Sequence, residues 1–293
     1  MGGKSDKAHK GPGNGRTVLI TGCSSGIGRC AALGLAARGY RVFATARRAE
    51  DVAGLQAEGL EALRLDLDDS ASIAAAVEAV LDRTGGHLDA LFNNGAYGQP
   101  GALEDLSRAA LRRQFETNVF GWQELTNRVI PVMRRQGYGR IVHNSSVLGF
   151  VAMAYRGAYN ASKYALEGLA DTQRLELRGS GIHIALIQPG PIESRFRANA
   201  YQAFLAWVDA EASPHRDNYR ALVARLTHPG AVVPFTLPPE AVLKKLIHAL
   251  ESPRPRIRYR VTVPTHLFAA LKRLLPDAWM DRVLSRSSGG GRR

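Results

Sequence analysis

Short apolar runs alternate along the chain with longer amphipathic stretches. The apolar runs predict strands at TVLIT (17–21), YRVFAT (40–45), LEALRL (60–65), LDALF (88–92), GRIVHN (139–144), IHIALI (182–187) and RIRYRVTV (256–263). The central runs are apolar on both faces, which is typical of parallel strands covered by helices on both sides. Helical spacing between the runs predicts helices over 27–38, 70–83, 107–135, 158–178 and 239–250. The repeated β-α order therefore predicts an α/β fold with a doubly wound parallel sheet.

Two segments break this alternation. Residues 191–238 contain two helical pieces, several aromatic residues and no strand, and the second segment follows Pro264. Because no repeat and no linker divides the chain, we expect one domain over residues 16–265, with 191–238 as a lid over the substrate. Residues 1–15 are expected to be a flexible basic tail. Residues 266–293 are expected to be a basic amphipathic extension, which either packs on the domain or makes a peripheral contact with a membrane surface.

The net charge of +13 at pH 7 lies mostly at the two ends of the chain. Residues 1–16 carry a net +3 and residues 251–293 a net +7. Because the ends lack a recognised readout motif, solvated ends are favoured over nucleic-acid binding. No signal-peptide core and no apolar run of about 18 residues occurs, which predicts a cytoplasmic protein. The two cysteines have no partner cluster, so neither a disulfide nor a metal site is expected.

The first predicted strand runs into TGCSSGIG (21–28) and then into a helix. Glycines remove the Cβ atoms that would keep the backbone away from a phosphate, and a helix N-terminus offers unpaired N–H groups and partial positive charge. A tight βα loop without a ligand is the alternative interpretation of this turn alone. The turn therefore provides candidates for holding a cofactor diphosphate: Gly22, Ser24, Ser25, Gly26, Ile27 and Gly28.

The stretch SSVLGFVAMAYRGAYNASK (145–163) holds two serines, two tyrosines and a lysine four positions after the second tyrosine. On a helix, Tyr159 and Lys163 lie one turn apart on a common face. A free phenol has a pKa of about 10, and a neighbouring ammonium group favours the phenolate. These residues are candidates for acid–base chemistry, although each one alone is as readily explained as a structural residue.

Several motifs occur together in one order: TGCSSGIG, LDLDD (65–69), FNNGAYG (92–98), ETNVFG (116–121), GRIVHNSS (139–146), YNASK (159–163) and QPGPIES (188–194). In these motifs the chain resembles the classical short-chain dehydrogenase/reductase family over about residues 15–265. The motif set looks closest to the branch with hydroxysteroid and retinol dehydrogenases and bacterial aldehyde reductases. The resemblance implies a Rossmann sheet of seven strands that binds a nicotinamide cofactor at the carboxyl ends of the strands.

The resemblance also implies roles for four residues. In this family the catalytic serine lies thirteen positions before the catalytic tyrosine, which selects Ser146, and not Ser145, as the partner of Tyr159. Tyr159 then exchanges a proton with the substrate oxygen, Ser146 stabilises negative charge on that oxygen, and Lys163 lowers the pKa of the phenol. Asn118 is implied to hold a water that links Lys163 to solvent. Ser146 and Tyr159 are therefore the expected substrate contacts.

The end of the second predicted strand, VFATARR, bears on the choice of cofactor. Family members that prefer NAD usually place an acidic residue where this chain has Ala46, which Arg47 and Arg48 follow. A guanidinium binds a 2′-phosphate that an acid would repel, which favours NADP(H), with NAD(H) as a secondary cofactor. The resemblance implies further cofactor contacts beside Tyr159 and Lys163, namely Asp66, Leu67, Asn93, Gly95, Pro189, Gly190, Ile192 and Ser194.

The turn after the fourth predicted strand departs from the family pattern. The family usually has Asn-Asn-Ala-Gly, whereas this chain has Asn93, Asn94, Gly95 and Ala96. Because glycine permits close approaches that alanine does not, we expect a slightly different path of this loop beside the cofactor.

The sequence therefore predicts an NADP(H)-dependent oxidoreductase that interconverts an alcohol and an aldehyde or ketone. The apolar character of FNNGAYGQPG, of residues 150–153 and of the aromatic residues near 196–208 predicts a lipophilic substrate, such as an aliphatic aldehyde, a retinoid or a steroid. The resemblance implies a homodimer or homotetramer. The alternative is a regulatory protein that binds NADPH with little turnover, and the complete set of four catalytic candidates argues against it.

Overall fold

The computed structural model describes residues 13–230 and 233–287. In this part of the chain seven strands form one sheet: β1 (Thr17–Ile20), β2 (Arg41–Ala46), β3 (Glu61–Arg64), β4 (Ala90–Asn93), β5 (Gly139–Asn144), β6 (Ile182–Gln188) and β7 (Arg258–Arg260). Their spatial order is β3-β2-β1-β4-β5-β6-β7, and every neighbouring pair is parallel. This confirms the predicted doubly wound α/β sheet.

The described ranges contain the helices α1 (Gly26–Ala37), α2 (Ala49–Ala57), α3 (Ser70–Thr84), α4 (Arg108–Phe115), α5 (Gly121–Gln136), α6 (Gly157–Glu176), α7 (Phe196–Trp207), α8 (Arg216–Thr227), α9 (Glu240–Glu251), α10 (Val263–Leu274) and α11 (Asp277–Ser287). A π-helical turn, Glu116–Phe120, joins α4 to α5, so the single helix predicted over 107–135 is divided. Helix α2 is missing from the sequence prediction because its sequence buries only Leu55, which gives no helical repeat of apolar positions.

Both faces of the sheet are covered. In β1, Val18 and Ile20 join an apolar cluster with α1 and α9, whereas Leu19 joins a second cluster with α3, α5 and α6. Successive side chains of a strand point to opposite faces, so a continuous apolar run contributes to both clusters.

Strand β1 lies between β2 and β4, so the direction of strand order reverses there. At such a point the connections leave a crevice at the carboxyl ends of the strands, where ligands bind in folds of this kind. The loops that follow β1, β4 and β5 all leave the sheet at this edge. They carry the glycine turn, the Asn-Asn-Gly-Ala turn and Ser146.

Helices α7 and α8 lie within residues 191–238, the segment predicted to hold two helical pieces. Phe204 of α7 and Tyr219 of α8 are buried against each other, with their ring centroids 5.2 Å apart. The backbone N–H of Ala102 donates to the Tyr219 hydroxyl at 2.9 Å. This bond ties the lid segment to the loop after β4.

The C-terminal helices α10 and α11 pack on the domain. Phe268, Met280 and Leu284 form an apolar cluster with Val147 and Leu148, which follow β5. Within 13–230 and 233–287, no helix has both the length and the apolar character needed to span a bilayer. Residues 1–12 of the predicted basic tail and residues 288–293 of the predicted extension lie outside the described residues.

Candidate active site

The loop after β1 bends sharply into α1. Gly22 and Gly26 have φ angles of 71° and 54°, which L side chains rarely adopt. A Cβ on Gly28 would lie 2.1 Å from the carbonyl oxygen of Gly22. Ser25, at the N-cap of α1, makes no side-chain cap bond, and the first turn holds no acidic residue. The N–H groups of this turn therefore fit a diphosphate.

Hydrogen bonds tie the turn after β4 to the glycine turn. Thr21 Oγ1 accepts from the backbone N–H groups of Asn94 and Gly95, both at 2.8 Å. The Asn94 side chain donates to the carbonyl oxygens of Thr21 and Gly22, at 2.9 and 3.2 Å. A Cβ on Gly22 would lie 2.5 Å from the Cα of Gly95, so the two turns meet backbone to backbone.

Asn93 is turned away from this edge. Its buried side chain donates to Thr126 Oγ1 at 3.0 Å and lies 3.2 Å from His143 Nδ1. As the last residue of β4 it alternates in direction with its neighbour, and Asn94 lines the cavity in its place. Of the two asparagines, Asn94 and not Asn93 therefore lines the cavity.

Arg47 and Arg48 follow β2 and differ in their partners. Arg48 donates to Asp51 at 2.9 Å and lies 3.3 Å from Glu50. The guanidinium of Arg47 is exposed and makes no ion pair with a described residue. Arg47 is therefore the more available of the two for a phosphate.

Ser146, Tyr159 and Lys163 converge at the carboxyl end of β5, where all three line one cavity. Ser146 precedes a short 3₁₀ turn, and its Oγ accepts from the backbone N–H of Leu148 at 3.0 Å. Tyr159 and Lys163 lie one turn apart near the start of α6. The buried Lys163 ammonium donates to the carbonyl oxygen of Asn144 at 2.8 Å.

Ser145 has a partner of its own. Its Oγ donates to Glu167 Oε1 at 2.6 Å. Glu167 accepts two further hydrogen bonds, from Gln188 Nε2 and from Arg258 Nε, both at 2.9 Å. Ser146 lies outside this network and lines the cavity together with Tyr159.

Burial dominates the charge states of these residues. It raises the pKa of the Tyr159 phenol, and the Ser146 hydroxyl lowers that pKa in part as a hydrogen-bond partner. Burial lowers the pKa of Lys163 from 10.5 to about 7, and the nearby Glu167 carboxylate opposes this decrease. Burial, and secondly the charge of Lys163, lower the pKa of His143 to about 4. The neighbour of Tyr159 that changes charge near neutral pH is therefore Lys163.

The π-helical turn places Asn118 against α6. Its buried side chain donates to the carbonyl oxygen of Tyr97 at 2.9 Å and to Ser162 Oγ at 3.2 Å, and it accepts from the Tyr97 N–H at 3.2 Å. Such wide turns recur at functional sites, where they change the direction of a side chain without ending the helix. Asn118 contacts the residue next to Lys163 but does not line the cavity.

Beyond Tyr159 the cavity, with a volume of about 1000 Å³, has a largely apolar wall. Apolar residues of that wall are Met153, Phe196, Leu222, Leu226, Phe235 and Phe268. The Phe196 ring lies 5.3 Å from the Tyr159 ring. Of the aromatic residues expected here from the stretch 196–208, Phe196 lines the cavity, whereas Phe204 packs in the lid and Trp207 is exposed.

The cavity wall brings together most of the predicted site residues: Gly22, Ser24, Ser25, Gly26, Ile27, Gly28, Gly95, Ser146, Tyr159, Lys163, Pro189, Gly190, Ile192 and Ser194. It does not include Arg47, Arg48, Asp66, Leu67, Asn93 or Asn118. The sequence analysis missed Asn94, Arg156 and Arg225, which also line it. Of these, Asn94 has a sequence signal, since it stands in the FNNGAYG motif, whereas Arg156 and Arg225 belong to none of the quoted motifs that carry the family resemblance. Among the described residues, no group of three or more His, Cys, Asp or Glu could hold a metal ion.

The glycine turn and the serine, tyrosine and lysine define the class of protein. The chain belongs to the short-chain dehydrogenase family, a family of oxidoreductases that use a nicotinamide cofactor, and the family model for short chain dehydrogenase matches residues 16–203. The chain is similar to the uncharacterized oxidoreductase YbbO of Escherichia coli K12, with 43% identity over 269 residues that cover 92% of this chain and 94% of that protein.

Two further proteins extend this comparison. The chain is 34% identical over 277 residues to retinol dehydrogenase 8 of Bos taurus, covering 89% of this chain and 86% of that protein. The crystal structure of a short chain dehydrogenase/reductase from Burkholderia phymatum, in complex with NAD, matches with a TM-score of 0.75 and 26% identity. That match covers 95% of this chain and 98% of the other.

Proposed function

We propose that this protein is an NADP(H)-dependent oxidoreductase that interconverts a lipophilic alcohol with its aldehyde or ketone. The observation that carries this proposal is the convergence of Ser146, Tyr159 and Lys163 on the cavity that the glycine turn also lines. The apolar wall supports a lipophilic substrate. The bovine relative is named for retinol, which is a lipophilic alcohol.

The residues of the cleft fit a dinucleotide. The backbone of the glycine turn and the N-terminus of α1 would hold its diphosphate, and Pro189, Gly190, Ile192 and Ser194 would border the nicotinamide. When bound, the nicotinamide supplies or accepts the hydride. Ala46, at the end of β2, leaves no carboxylate to repel a 2′-phosphate, and the unpaired Arg47 follows it, which supports NADP(H).

Proton transfer is assigned to Tyr159. During reduction its hydroxyl gives a proton to the carbonyl oxygen, and during oxidation the phenolate takes the proton from the alcohol. Ser146 donates a hydrogen bond to the same oxygen and so stabilises its negative charge. The Lys163 ammonium, close to the phenol, favours the phenolate that remains after the proton has left. Asn118, next to Ser162, is assigned to the proton path from Lys163 to solvent.

The test follows the absorbance of NADPH with medium-chain aldehydes, retinal and ketosteroids, beside the same assays with NADH. We expect turnover that prefers NADPH. The variant Tyr159→Phe should lose about a thousandfold in kcat and still bind NADPH. Tyr155→Phe is the matched control, because Tyr155 packs against His215 and Tyr219 of the lid. Binding of NADPH without turnover of any of these compounds contradicts the proposal and favours a regulatory protein.

We propose further that two or more copies associate through the faces of α5 and α6. Exposed apolar side chains at these helices support this assignment: Phe120 (53% exposed), Tyr164 (39%) and Leu175 (56%). Sedimentation should show a dimer or tetramer, and Leu175→Ser should shift the distribution towards monomer. A monomer for the unmodified protein at assay concentration contradicts this proposal.

A further inference from the structure

The lid side of the cavity carries positive charge that no protein group neutralises. Four arginines line the cavity. Arg195 reaches the glycine turn, where it donates to the carbonyl oxygen of Ser24 at 2.8 Å, whereas Arg156, Arg197 and Arg225 line the cavity together with apolar side chains. Among the described residues of the wall, the one carboxylate is that of Glu193, and none of the three arginines forms an ion pair with a described residue. Elsewhere in the described chain, half-buried arginines such as Arg38 and Arg258 do pair with carboxylates.

The three arginines differ in their hydrogen bonds. Arg197 donates to the carbonyl oxygens of Arg225 and His228, both at 3.1 Å, and to that of Gly230, and so holds the end of α8 to α7. Arg156 reaches only the sulfur of Met153, at 3.5 Å, and the guanidinium of Arg225 bonds to no described residue. Arg197 therefore has a structural task, whereas Arg156 and Arg225 keep free donors at the cavity.

The two guanidinium groups also lie in an unfavourable environment. Burial lowers the pKa of Arg156 from 12.5 to about 10, and the neighbouring charge of Arg225 lowers it further. Burial and the charge of Arg197 lower the pKa of Arg225 as well. Desolvated like charges without a counterion are unfavourable, and an anion placed between them removes the repulsion. Guanidinium groups bind carboxylate and phosphate oxygens through paired N–H donors.

Arg156 and Arg225 line the same cavity as Tyr159. Arg156 is the N-cap residue of α6 and stands three residues before Tyr159 in sequence. Leu222 and Leu226 of the same helix as Arg225 contribute apolar surface to the wall. A molecule whose carbonyl lies at Tyr159 therefore has both apolar surface and two guanidinium groups within the same cavity.

We propose that Arg156 and Arg225 bind a carboxylate of the substrate, so that the preferred substrate is an apolar carbonyl compound with an acidic group, an oxo acid rather than a neutral aldehyde. This inference rests on the proposed function, since it assigns the substrate class of the same site. It makes Arg156 and Arg225 specificity-determining residues.

The experiment compares three compounds of equal chain length: dodecanedioic semialdehyde, its methyl ester and dodecanal. Suberic semialdehyde and its methyl ester repeat the comparison with a shorter chain. For at least one chain length we expect kcat/KM of the unmodified enzyme to favour the acid over its ester by about tenfold to a hundredfold, as for a hydrogen bond between charged groups. The difference should lie mainly in KM, because the arginines bind the acid without entering the proton transfer.

Two variants locate this preference. Arg156→Gln and Arg225→Gln should each reduce the ratio of kcat/KM for the acid to kcat/KM for the ester to near one, because kcat/KM falls more for the acid than for the ester. Arg220→Gln is the matched control, because Arg220 lies on the same helix as Arg225, is exposed and pairs with Asp217 at 3.0 Å. This control should keep the full preference for the acid. Equal losses for acid and ester in both arginine variants would indicate a structural role and overturn the proposal.

A binding measurement separates this inference from the proposed function. Dodecanedioic acid has no aldehyde or ketone group and therefore cannot be a substrate. Calorimetry should show that it binds, and that Arg156→Gln weakens this binding about tenfold. Turnover of dodecanal with no preference for the acid, and no binding of the diacid, would overturn the inference and leave the proposed function standing. Binding of the diacid without turnover of any aldehyde, acidic or neutral, would overturn the proposed function and with it the substrate class, and would leave only an anion-binding role for Arg156 and Arg225.

Discussion

The cofactor side and the substrate side of the cavity are built in different ways. On the cofactor side the wall consists of backbone: the glycine turn, the N-terminus of α1 and the turn after β4, joined by the hydrogen bonds of Thr21 and Asn94. On the substrate side the wall consists of side chains from the start of α6, from the lid helices α7 and α8 and from α10.

The cofactor side should therefore tolerate few substitutions, whereas substitutions on the substrate side can change the substrate specificity. Backbone contacts depend on residues that are small enough to let two turns meet, and an added atom displaces the whole turn. Side-chain contacts depend on which residues the lid brings to the cavity, and each residue can be exchanged without moving the sheet. Mutations on the two sides should therefore differ in the size of their effect and in the property that they change.

The strongest test of the backbone side is Gly28→Ala. Its Cβ would lie 2.1 Å from the Gly22 carbonyl oxygen, a backbone atom that cannot move without shifting the turn. We expect the binding free energy of the cofactor to become less favourable by about 3 kcal/mol, which is a loss of affinity of about a hundredfold. Calorimetric titration with NADPH measures this affinity. Gly168→Ala, within α6 where a Cβ meets nothing within 4 Å, is the control and should leave binding unchanged.

The second test concerns the one side chain expected to select the cofactor. Arg47→Glu should lower the affinity for NADPH by about tenfold to a hundredfold, because a charge-assisted hydrogen bond is lost and a repulsion is gained. The affinity for NADH should change little. Arg48→Glu is the comparison, since Arg48 already pairs with Asp51, and it should have a smaller effect. Equal losses for both cofactors in Arg47→Glu would contradict the assignment.

The third test changes the charge near Lys163 without touching the cavity wall. Glu167 raises the pKa of Lys163, so Glu167→Gln should lower it, and the ammonium should be lost at lower pH. Carbonyl reduction uses the phenol together with the ammonium, so its alkaline decline should move to lower pH, with a loss of about fivefold near pH 8. A full pH profile of kcat/KM measures this shift.

Asp171→Asn is the control for that test. Asp171 also pairs with Arg258, at 2.7 Å, so its loss removes an ion pair from the same network. Asp171 is not among the groups that shift the pKa of Lys163. An identical shift of the pH profile in both variants would show that the ion pair with Arg258, and not the charge of Glu167, controls Lys163.

The smallest effect is expected from the packing of the lid. Tyr219→Phe removes a hydroxyl that accepts from the Ala102 N–H and donates to Asp105. We expect KM to rise about twofold to threefold with kcat nearly unchanged, because the lid loses one anchor while Phe204 still packs against the ring. Steady-state kinetics measure both constants. Tyr201→Phe is the control, since the hydroxyl of Tyr201 bonds to no described residue.

The same contrast explains what could be predicted from the sequence. The strands could be predicted because they are continuous apolar runs. The glycine turn, Ser146, Tyr159 and Lys163 could be predicted because they stand in short motifs that have a fixed place in this fold. Helix α2 has a single buried residue, Leu55, and so gives no periodic signal. Asn93 points into the core and Asn94 lines the cavity. Successive side chains of a strand alternate in direction, so an error of one residue in the predicted end of β4 selects the wrong asparagine.

The sequence predicts the lid segment and its aromatic residues, but not which of its side chains line the cavity. Its aromatic residues look alike in sequence, and only packing decides that Phe204 is buried, that Trp207 is exposed and that Phe196 faces Tyr159. Arg225 lines the cavity because α8 packs on α7 through Tyr219 and Phe204. Contacts between residues this far apart along the chain leave no mark in a local pattern.

The surroundings of Lys163 also make the protein its own optical probe. The fully buried indole of Trp122 lies with its ring centroid 4.3 Å from the Lys163 ammonium and stacks on the ring of His143. The other two tryptophans, Trp207 and Trp279, are exposed and can be replaced by phenylalanine. The fluorescence of the remaining indole then follows the charge on Lys163 through its interaction with the ring. The protonation of this lysine can therefore be followed in the intact protein, with neither cofactor nor substrate present.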